Sequence, residues 1–435
     1  MSVTKWCQPG VKARECWSWA FYDFANSGYT TVVLTAVFNA YFVSTILNNA
    51  SYATLVWTLV VGASNFISMI VMPVVGSLAD ARANKKRWLF GATLACVVGT
   101  MGLFLTGPGT VFWAGFMIVI SNVAYNMGES LCSAFLPELA KPEDVGKVSG
   151  WGWGLGYIGG LVALGLSIPL VGVFGGNSVP YIMLLTAAIY AVAATPLFIF
   201  LKERSQPRET DGAHASSWVI AKASFREVGH TLKNLPLYRD FAQLALTGFF
   251  FQCGVSVVIA LSAVYAEQVM GFKLKDTLIL MFVVNITAAV GAIGAGWVQD
   301  RIGAKLTLNM ILGVWLVMIF LASSTQHLAV FWVAANLAGL AMGACQSIGR
   351  SMVALLAPDS RRAEFFSFWN MALWFSSLIG PVTYGLITWV TEGNHRLAIL
   401  VTGIFFVCSL VSLLFVNLER GATLAKSLSK GEKTP

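Results

Sequence analysis

Charge is scarce in this chain. Asp, Glu, Lys and Arg make up 11% of its 435 residues, while 57% are hydrophobic. Soluble domains carry roughly 25% charged residues, so this supply is too small for a wet surface. Polar linkers are scarce too, although a soluble chain of this length would split into about two or three domains joined by them. These shortages exclude a secreted enzyme, a nucleic-acid binder and a disordered scaffold, and leave an integral membrane protein.

Histidine is rarer still: His214, His230, His327 and His395 are dispersed and lie outside the apolar runs. No His-Glu-x-x-His and no Gly-x-Ser-x-Gly occurs, which argues against an enzyme, and no Gly-x-x-x-x-Gly-Lys-[Ser/Thr] offers a phosphate cradle for an ATP engine. The seven cysteines (Cys7, Cys16, Cys96, Cys132, Cys253, Cys345, Cys408) form no Cys-x-x-Cys pair. Five fall within apolar runs, where a thiol packs as a small hydrophobe. Neither a disulfide framework nor a metal site is expected, and no cofactor. The apolar run after the first sixteen residues is too long for a signal-peptide core, so this segment is expected to stay in the membrane.

What is present is a series of apolar stretches, each near the roughly 20 residues that cross a bilayer core. Twelve are expected, at 17–47, 53–79, 88–106, 110–135, 148–174, 180–201, 238–266, 277–299, 306–325, 328–356, 365–391 and 396–417. The polar stretch from Lys202 to Pro236 divides them six and six. With the amino terminus inside, 25 of the 28 Lys and Arg residues fall on inner segments and three (Lys273, Lys275, Arg396) on outer ones. The positive-inside bias therefore puts both termini in the cytoplasm. The expected fold is all-α, with a half at 1–201, a cytoplasmic loop at 202–236 and a second half with its tail at 237–435. Within that loop Trp218, Ala221, Phe225, Val228, Leu232 and Leu235 recur at helical spacing. They predict an amphipathic helix lying on the inner leaflet or against the bundle.

The chain also repeats itself. Gly76 to Gly296, Asp80 to Asp300 and Gly160 to Gly380 are each offset by 220 residues, and Pro137 to Pro358 by 221. Two six-helix units of one ancestry are implied, related by an axis along the membrane normal, an arrangement suited to alternating access.

These residues carry a family resemblance. Gly296-Trp-Val-Gln-Asp300-Arg301-Ile-Gly303-Ala-Lys305 resembles the loop between the second and third helices of each half in the major facilitator superfamily. The first copy, from Gly76 through Asp80, Arg82 and Lys85, has Ala81 and Ala83 at the usual Arg and Gly positions. Trp19-Ala-Phe-Tyr-Asp23-Phe-Ala-Asn26-Ser27, Leu136-Pro137-Glu138, Ser149 to Gly160 and Gln346-Ser-Ile-Gly-Arg350-Ser351 are similar to its vacuole-effluxer-like branch, which includes the autophagy-related vacuolar amino-acid exporter of fungi. The resemblance implies a monomeric secondary transporter of a small organic solute, an amino acid or related metabolite by best match, with efflux by rocker-switch alternating access. It implies a multi-pass protein of the cell inner (plasma) membrane, or of the vacuolar membrane in a eukaryote. The alternatives are a siderophore, drug or other metabolite transporter, or a non-transporting membrane receptor.

Charges inside a membrane are expensive, so each is a functional candidate. Asp23, Glu129 and Arg350 lie within the first, fourth and tenth expected spans. In the 221 register Glu129 falls opposite Arg350, and the resemblance places their spans around the cavity. They are candidates for proton coupling, for holding a substrate carboxylate or phosphate through Arg350, or for an inner gate in which they pair with one another. Asn26, Asn122, Tyr125, Asn126, Gln252, Asn336 and Gln346 are the candidate cavity lining. The competing reading for each is a hydrogen bond to a neighbouring helix. Gly76, Asp80, Arg82, Gly296, Asp300, Arg301 and Lys305 form the candidate gating loops. The glycines at 150, 152, 154, 156, 159 and 160 are expected to let helices approach closely.

Overall fold

A computed structural model describes residues 6–141, 145–204, 238–357 and 362–429, with the side chains of Asp80 and Asp300 outside the description. The amphipathic stretch at 218–235 and the Pro358-Asp359 pair therefore lie outside it too. Among the described residues the chain is helical, apart from one isolated bridge between Cys7 and Ala140.

Eleven uninterrupted stretches of the described residues are long and apolar enough to cross a membrane. One of them, 151–200, runs 50 residues. At 1.5 Å per residue that is more than twice the bilayer core, and it turns at Gly175–Asn177. It therefore holds two passes, α7 (Val145–Phe174) and α8 (Ser178–Phe200), which makes twelve. Apolar side chains lie on the outside of these helices, Phe112 being 86% exposed. In water such a surface would aggregate; in lipid it is the solvent-facing side.

The first pass is irregular where β-branched residues cluster. Helix α1 (Ala13–Tyr29) starts with the Lys12 N–H held by Glu15 Oε1 at 3.1 Å. It reaches the β-branched run Thr30-Thr31-Val32-Val33, which crowds the preceding turn. There the backbone loosens into a π turn at Thr30–Ala36, breaks at Val37 with φ −122°, and continues through α2 (Phe38–Tyr41) and a second π turn at Phe42–Ile46. The Thr30 hydroxyl bonds back to the Asn26 and Ser27 carbonyls, and buried Asn39 donates to Thr35 O at 2.9 Å. Because the helix begins at Ala13, Asp23 sits ten residues in, about 15 Å along the axis, deeper than a span starting at 17 would put it.

The remaining elements are α3 (Ala53–Ala81), α4 (Lys85–Gly102), α5 (Val111–Ser133), α6 (Leu136–Leu139), α9 (Arg239–Met270), α10 (Leu274–Ile302), α11 (Ala304–Ser324), α12 (Leu328–Leu356), α13 (Arg362–Val390), α14 (His395–Leu414) and α15 (Leu418–Ser429). They divide into two compact units. The first comprises residues up to Ala50, Ala63–Val228 and Leu274–Met281; the second comprises Ser51–Gly62, Gly229–Lys273 and the chain from Phe282. In the first unit α1 packs on α7 and α8, and α4 on α5 and α8. In the second, α9 packs on α13 and α14, and α11 on α12 and α14, so the internal pairing recurs element for element. Gly159 presses against the Phe24 carbonyl of α1, and Gly380 against the Cys253 carbonyl of α9, closing the same joint in each unit. In the second unit the start of α3 also packs on α9 and α13: Trp57 Nε1 donates to Ala260 O at 3.3 Å, and Thr58 lies against Gly385.

The turns between α3 and α4 and between α10 and α11 show the repeat's imperfection. Gly303 adopts φ +88°, and Ala83, at the matching place, is forced to φ +48°. A left-handed non-glycine residue costs roughly 1–2 kcal/mol, offset by glycine's larger entropy loss of about 0.5–1 kcal/mol. Ala83→Gly is therefore expected to leave melting unchanged or raise it slightly, and Ala83→Val to lower it, in a thermal shift series in detergent.

Candidate functional site

In the first unit a chain of buried polar groups converges on Glu129. Its proton directions follow from the donors available. The Thr93 hydroxyl, on α4, donates to Leu89 O at 2.8 Å, so Tyr22, on α1, donates to Thr93 at 2.8 Å. Tyr190, on α8, donates to Asn26 Oδ1 at 2.6 Å, and Asn26 Nδ2 donates to Glu129 Oε2 at 2.6 Å. In its ionised form a carboxylate only accepts; in that form the Asn26 amide turns its nitrogen toward Glu129, and its oxygen then takes a donor from Tyr190. Asn26, Tyr22 and Tyr190 are all buried, while Glu129 is half-buried. Two helices, α1 and α8, thus aim one donor at one carboxylate, while the Tyr22–Thr93 pair leads back to α4.

Beside it runs a second strip. Asn122 Nδ2 bonds Ser64 Oγ at 2.6 Å and Asn65 Oδ1 at 3.1 Å. Asn126 Nδ2 bonds the same Asn65 oxygen at 3.3 Å and Ser68 Oγ at 2.9 Å. Spacings of three and four on α3 and α5 put both sets on facing stripes. Tyr125 stacks on Tyr29 with centroids 5.4 Å apart, and Tyr29 bonds Ser121 at 2.8 Å. Asp23 is half-buried and lies, with the Trp19 ring, in the space that a side chain on Gly152 would fill. Trp19 Nε1 bonds the Cys132 carbonyl of α5 at 2.9 Å, so α1, α5 and α7 meet at this notch.

The second unit builds its polar interior from amides and hydroxyls. Gln346 Nε2 of α12 donates to Gln252 Oε1 of α9 at 3.1 Å, and Ser256 meets Ser377 at 2.9 Å. Gln243 and Thr247 bond the Ser412 hydroxyl at 2.9 and 3.0 Å. The Asn336 amide donates to Trp332 O within its own helix at 2.8 Å. Arg350 is exposed near the end of α12. Trp369 fills the notch made by Gly248 and Gly349, and Phe249 stacks on Phe375 at 5.8 Å.

The basic ends of the two units are tied alike. Lys86 Nζ bonds Leu201 O at 2.6 Å, past the end of α8, and Lys305 Nζ bonds Leu414 O and Val416 O at 3.1 and 2.7 Å, past the end of α14. Glu203 caps α4 by accepting the Lys85 and Lys86 N–H groups at 2.6 and 3.3 Å, and Lys85 Nζ reaches Glu138 at 3.2 Å. Glu15 pairs with Arg204 at 2.9 Å; Asp240 takes Arg420 in a two-pronged pair at 2.7 and 2.8 Å. The carboxylates stand in the first turns of α1 and α9, and the arginines follow α8 and α14. Arg82 and Arg301 are exposed, and Gly76 and Gly296 face open space.

Sequence reasoning named Asn26, Asn122, Tyr125, Asn126, Gln252 and Gln346, and the structure gives each a partner within its unit. It missed Tyr190, Tyr22, Ser64, Asn65 and Ser68. Ser64-Asn65-x-x-Ser68 was the available signal, because its spacing matches Asn122-x-x-x-Asn126. It also missed α15, whose docking rests on the Asp240–Arg420 pair and on Gly421 fitting against Leu356.

With these features in place, similarity to known proteins decides the family. The vacuole effluxer Atg22-like family matches residues 143–426, and the major facilitator superfamily matches residues 8–164. The chain is an Atg22-like member of the major facilitator superfamily. Among its relatives, the uncharacterized MFS-type transporter YxiO of Bacillus subtilis is 26% identical, over 94% of this chain and 96% of that one. Autophagy-related protein 22 of Kluyveromyces lactis is 23% identical, over 88% and 83%. A point mutant of the nucleoside transporter NupG shares the fold with a TM-score of 0.71 at 13% identity, over 92% and 99% of the chains, and a D-xylose-proton symporter with 0.70 at 16%, over 93% and 98%. This Atg22-like chain is therefore a multi-pass membrane transporter of the superfamily and not an enzyme.

Proposed function

We propose that this Atg22-like transporter exports a small organic solute, an amino acid or a related metabolite, by alternating access of the halves 1–201 and 237–435, with proton coupling through Glu129 and Asp23. The observation that carries this reading is the aimed donor: Asn26, held by Tyr190, meets a half-buried carboxylate within an apolar helix, about one turn from its end. A carboxylate that only scaffolds the bundle needs no such oriented support, whereas one that exchanges a proton or an ammonium each cycle must return to one geometry. Export and the amino-acid class are supported by the vacuole-effluxer family. The inner (plasma) membrane, or a vacuolar membrane in a eukaryote, and a monomeric state belong to the same proposal.

The test is flux in proteoliposomes with a panel of labelled amino acids, with and without a pH gradient. Asp23→Asn is expected to abolish gradient-driven net flux while sparing counterflow. If no amino acid moves in the parent protein, the substrate class fails. If net flux survives Asp23→Asn, the coupling role of Asp23 fails.

A further inference from the structure

The amino-terminal arm, residues 6–12, is fastened at two places before α1 begins. Gln8 N bonds Leu139 O at 2.9 Å and Lys141 N bonds Trp6 O at 3.0 Å, forming the isolated bridge at Cys7 and Ala140, just after α6. Farther along, the chain turns at Gly10 with φ +85°, and Arg204 Nη2 reaches Gly10 O at 3.4 Å. The turn folds Cys7 back over Cys16, one turn into α1, and the two thiols are hydrogen-bonded to one another. Both are buried, Cys7 to 3% and Cys16 to 0% exposure. Arg204 and Glu15 place their charges on the same spot. The other five cysteines sit singly in α4, α5, α9, α12 and α14.

Hydrophobic packing accounts for a single buried cysteine but does not require two sulfurs in contact beside an ion pair. Two thiols held side by side are placed to be joined once the arm lifts and a small disulfide can reach them. The basic end of the bundle is the cytoplasmic one by the positive-inside bias, and disulfides in that compartment are transient and redox-sensing.

We propose that Cys7 and Cys16 are a reversible disulfide site that staples the amino-terminal arm to the first helix under oxidising conditions. The reaction balances with a low-molecular-weight disulfide of the glutathione type. The Cys7 thiolate attacks one of its sulfurs, breaking that S–S bond and releasing one small thiolate. Cys16 then gives up its proton and attacks the Cys7 sulfur of the mixed disulfide, forming the protein S–S bond and expelling the second small thiolate. Two protein thiols lose two electrons and two protons, and one small disulfide becomes two thiols. Cys7 attacks first because its arm can lift by parting two backbone bonds, whereas Cys16 is locked in a helix. The arm joins the start of α1 to the segment after α5 and α6, so the staple holds together the bases of the two helices that carry Asn26 and Glu129.

Thiol counting on the full-length protein tests this without any transport assay. Purified protein would be incubated with glutathione disulfide, unfolded in SDS and alkylated with a maleimide-polyethylene glycol. All seven cysteines are expected to react before oxidation and five after it, with dithiothreitol restoring seven. Cys7→Ser and Cys16→Ser are each expected to give six reactive thiols before oxidation and to prevent formation of the intramolecular link. Peptide mapping of the oxidised parent, which needs no variant, should show the 7–16 link. Seven reactive thiols after oxidation, a link between other cysteines, or a stable glutathione adduct on Cys7 alone would each overturn the proposal.

Discussion

Glu129→Gln is expected to eliminate gradient-driven transport while leaving the protein folded and counterflow within a few-fold of the parent. Glutamine is isosteric, and its side-chain oxygen still accepts from Asn26, so the network from Tyr190 survives. What is lost is the charge. A hydrogen bond to a charged group is worth about 1.5–3 kcal/mol, which corresponds to roughly ten- to hundredfold in any step that depends on it. Tyr190→Phe tests the supporting half of the claim. It removes the donor that orients Asn26 and leaves ring packing intact, so its effect should be smaller, about 0.5–1.5 kcal/mol, or some two- to tenfold. The two changes should not add. Once position 129 is glutamine, it can accept from or donate to Asn26, and a flipped amide no longer meets an acceptor-only group. Tyr190→Phe in the Glu129→Gln background is therefore expected to cost little more than Glu129→Gln alone. Strict additivity would show that Tyr190 acts elsewhere.

The second large effect concerns the joint between the first and fifth passes of each half. A methyl on Gly159 would overlap the Phe24 carbonyl, and one on Gly380 would overlap the Cys253 carbonyl. Neither obstacle is a flexible side chain. Inserting atoms into a packed contact typically costs about 1–3 kcal/mol, and a contact made by backbone belongs at or above the upper end. Gly159→Val and Gly380→Val should each abolish the monodisperse peak in size-exclusion chromatography. Gly165→Ala and Gly294→Ala are the controls, since nothing lies within 4 Å of the added methyl at either place. They should gain about 0.5–1 kcal/mol of helix propensity. If all four variants elute alike, close backbone approach is not what holds these helices.

The architecture was legible because a bilayer imposes one length and one composition on every pass, and because duplication left Asp80 and Asp300, Gly160 and Gly380 at a constant offset. Family membership was legible for the same reason: loop motifs keep their order even at low identity. The interior was harder to read. Tyr190 sits in an apolar run where a tyrosine reads as packing, and its partner Asn26 lies 164 residues away. Arg204 and Arg420 entered only as inner-segment charges in the positive-inside count, and Glu15 and Asp240 were not singled out. Their pairing depends on which helix ends meet, and spacing along the chain carries no trace of it. The π turns of the first pass were hidden because β-branched runs are tolerated in any buried helix.

The paired ties at the basic ends set an order of events during synthesis. Glu15 is made early, yet the guanidinium it pairs with arrives 189 residues later; Asp240 waits 180 residues for Arg420. A nascent chain leaving the ribosome therefore cannot fasten the first helix of either half until that half's last helix has been threaded into the membrane. The first half can close as soon as Arg204 emerges, before any of the second is translated. The second half closes only when Arg420 has left the tunnel, so the segment that carries it acts as a stopcock: until it is free, that half is inserted but not yet shut.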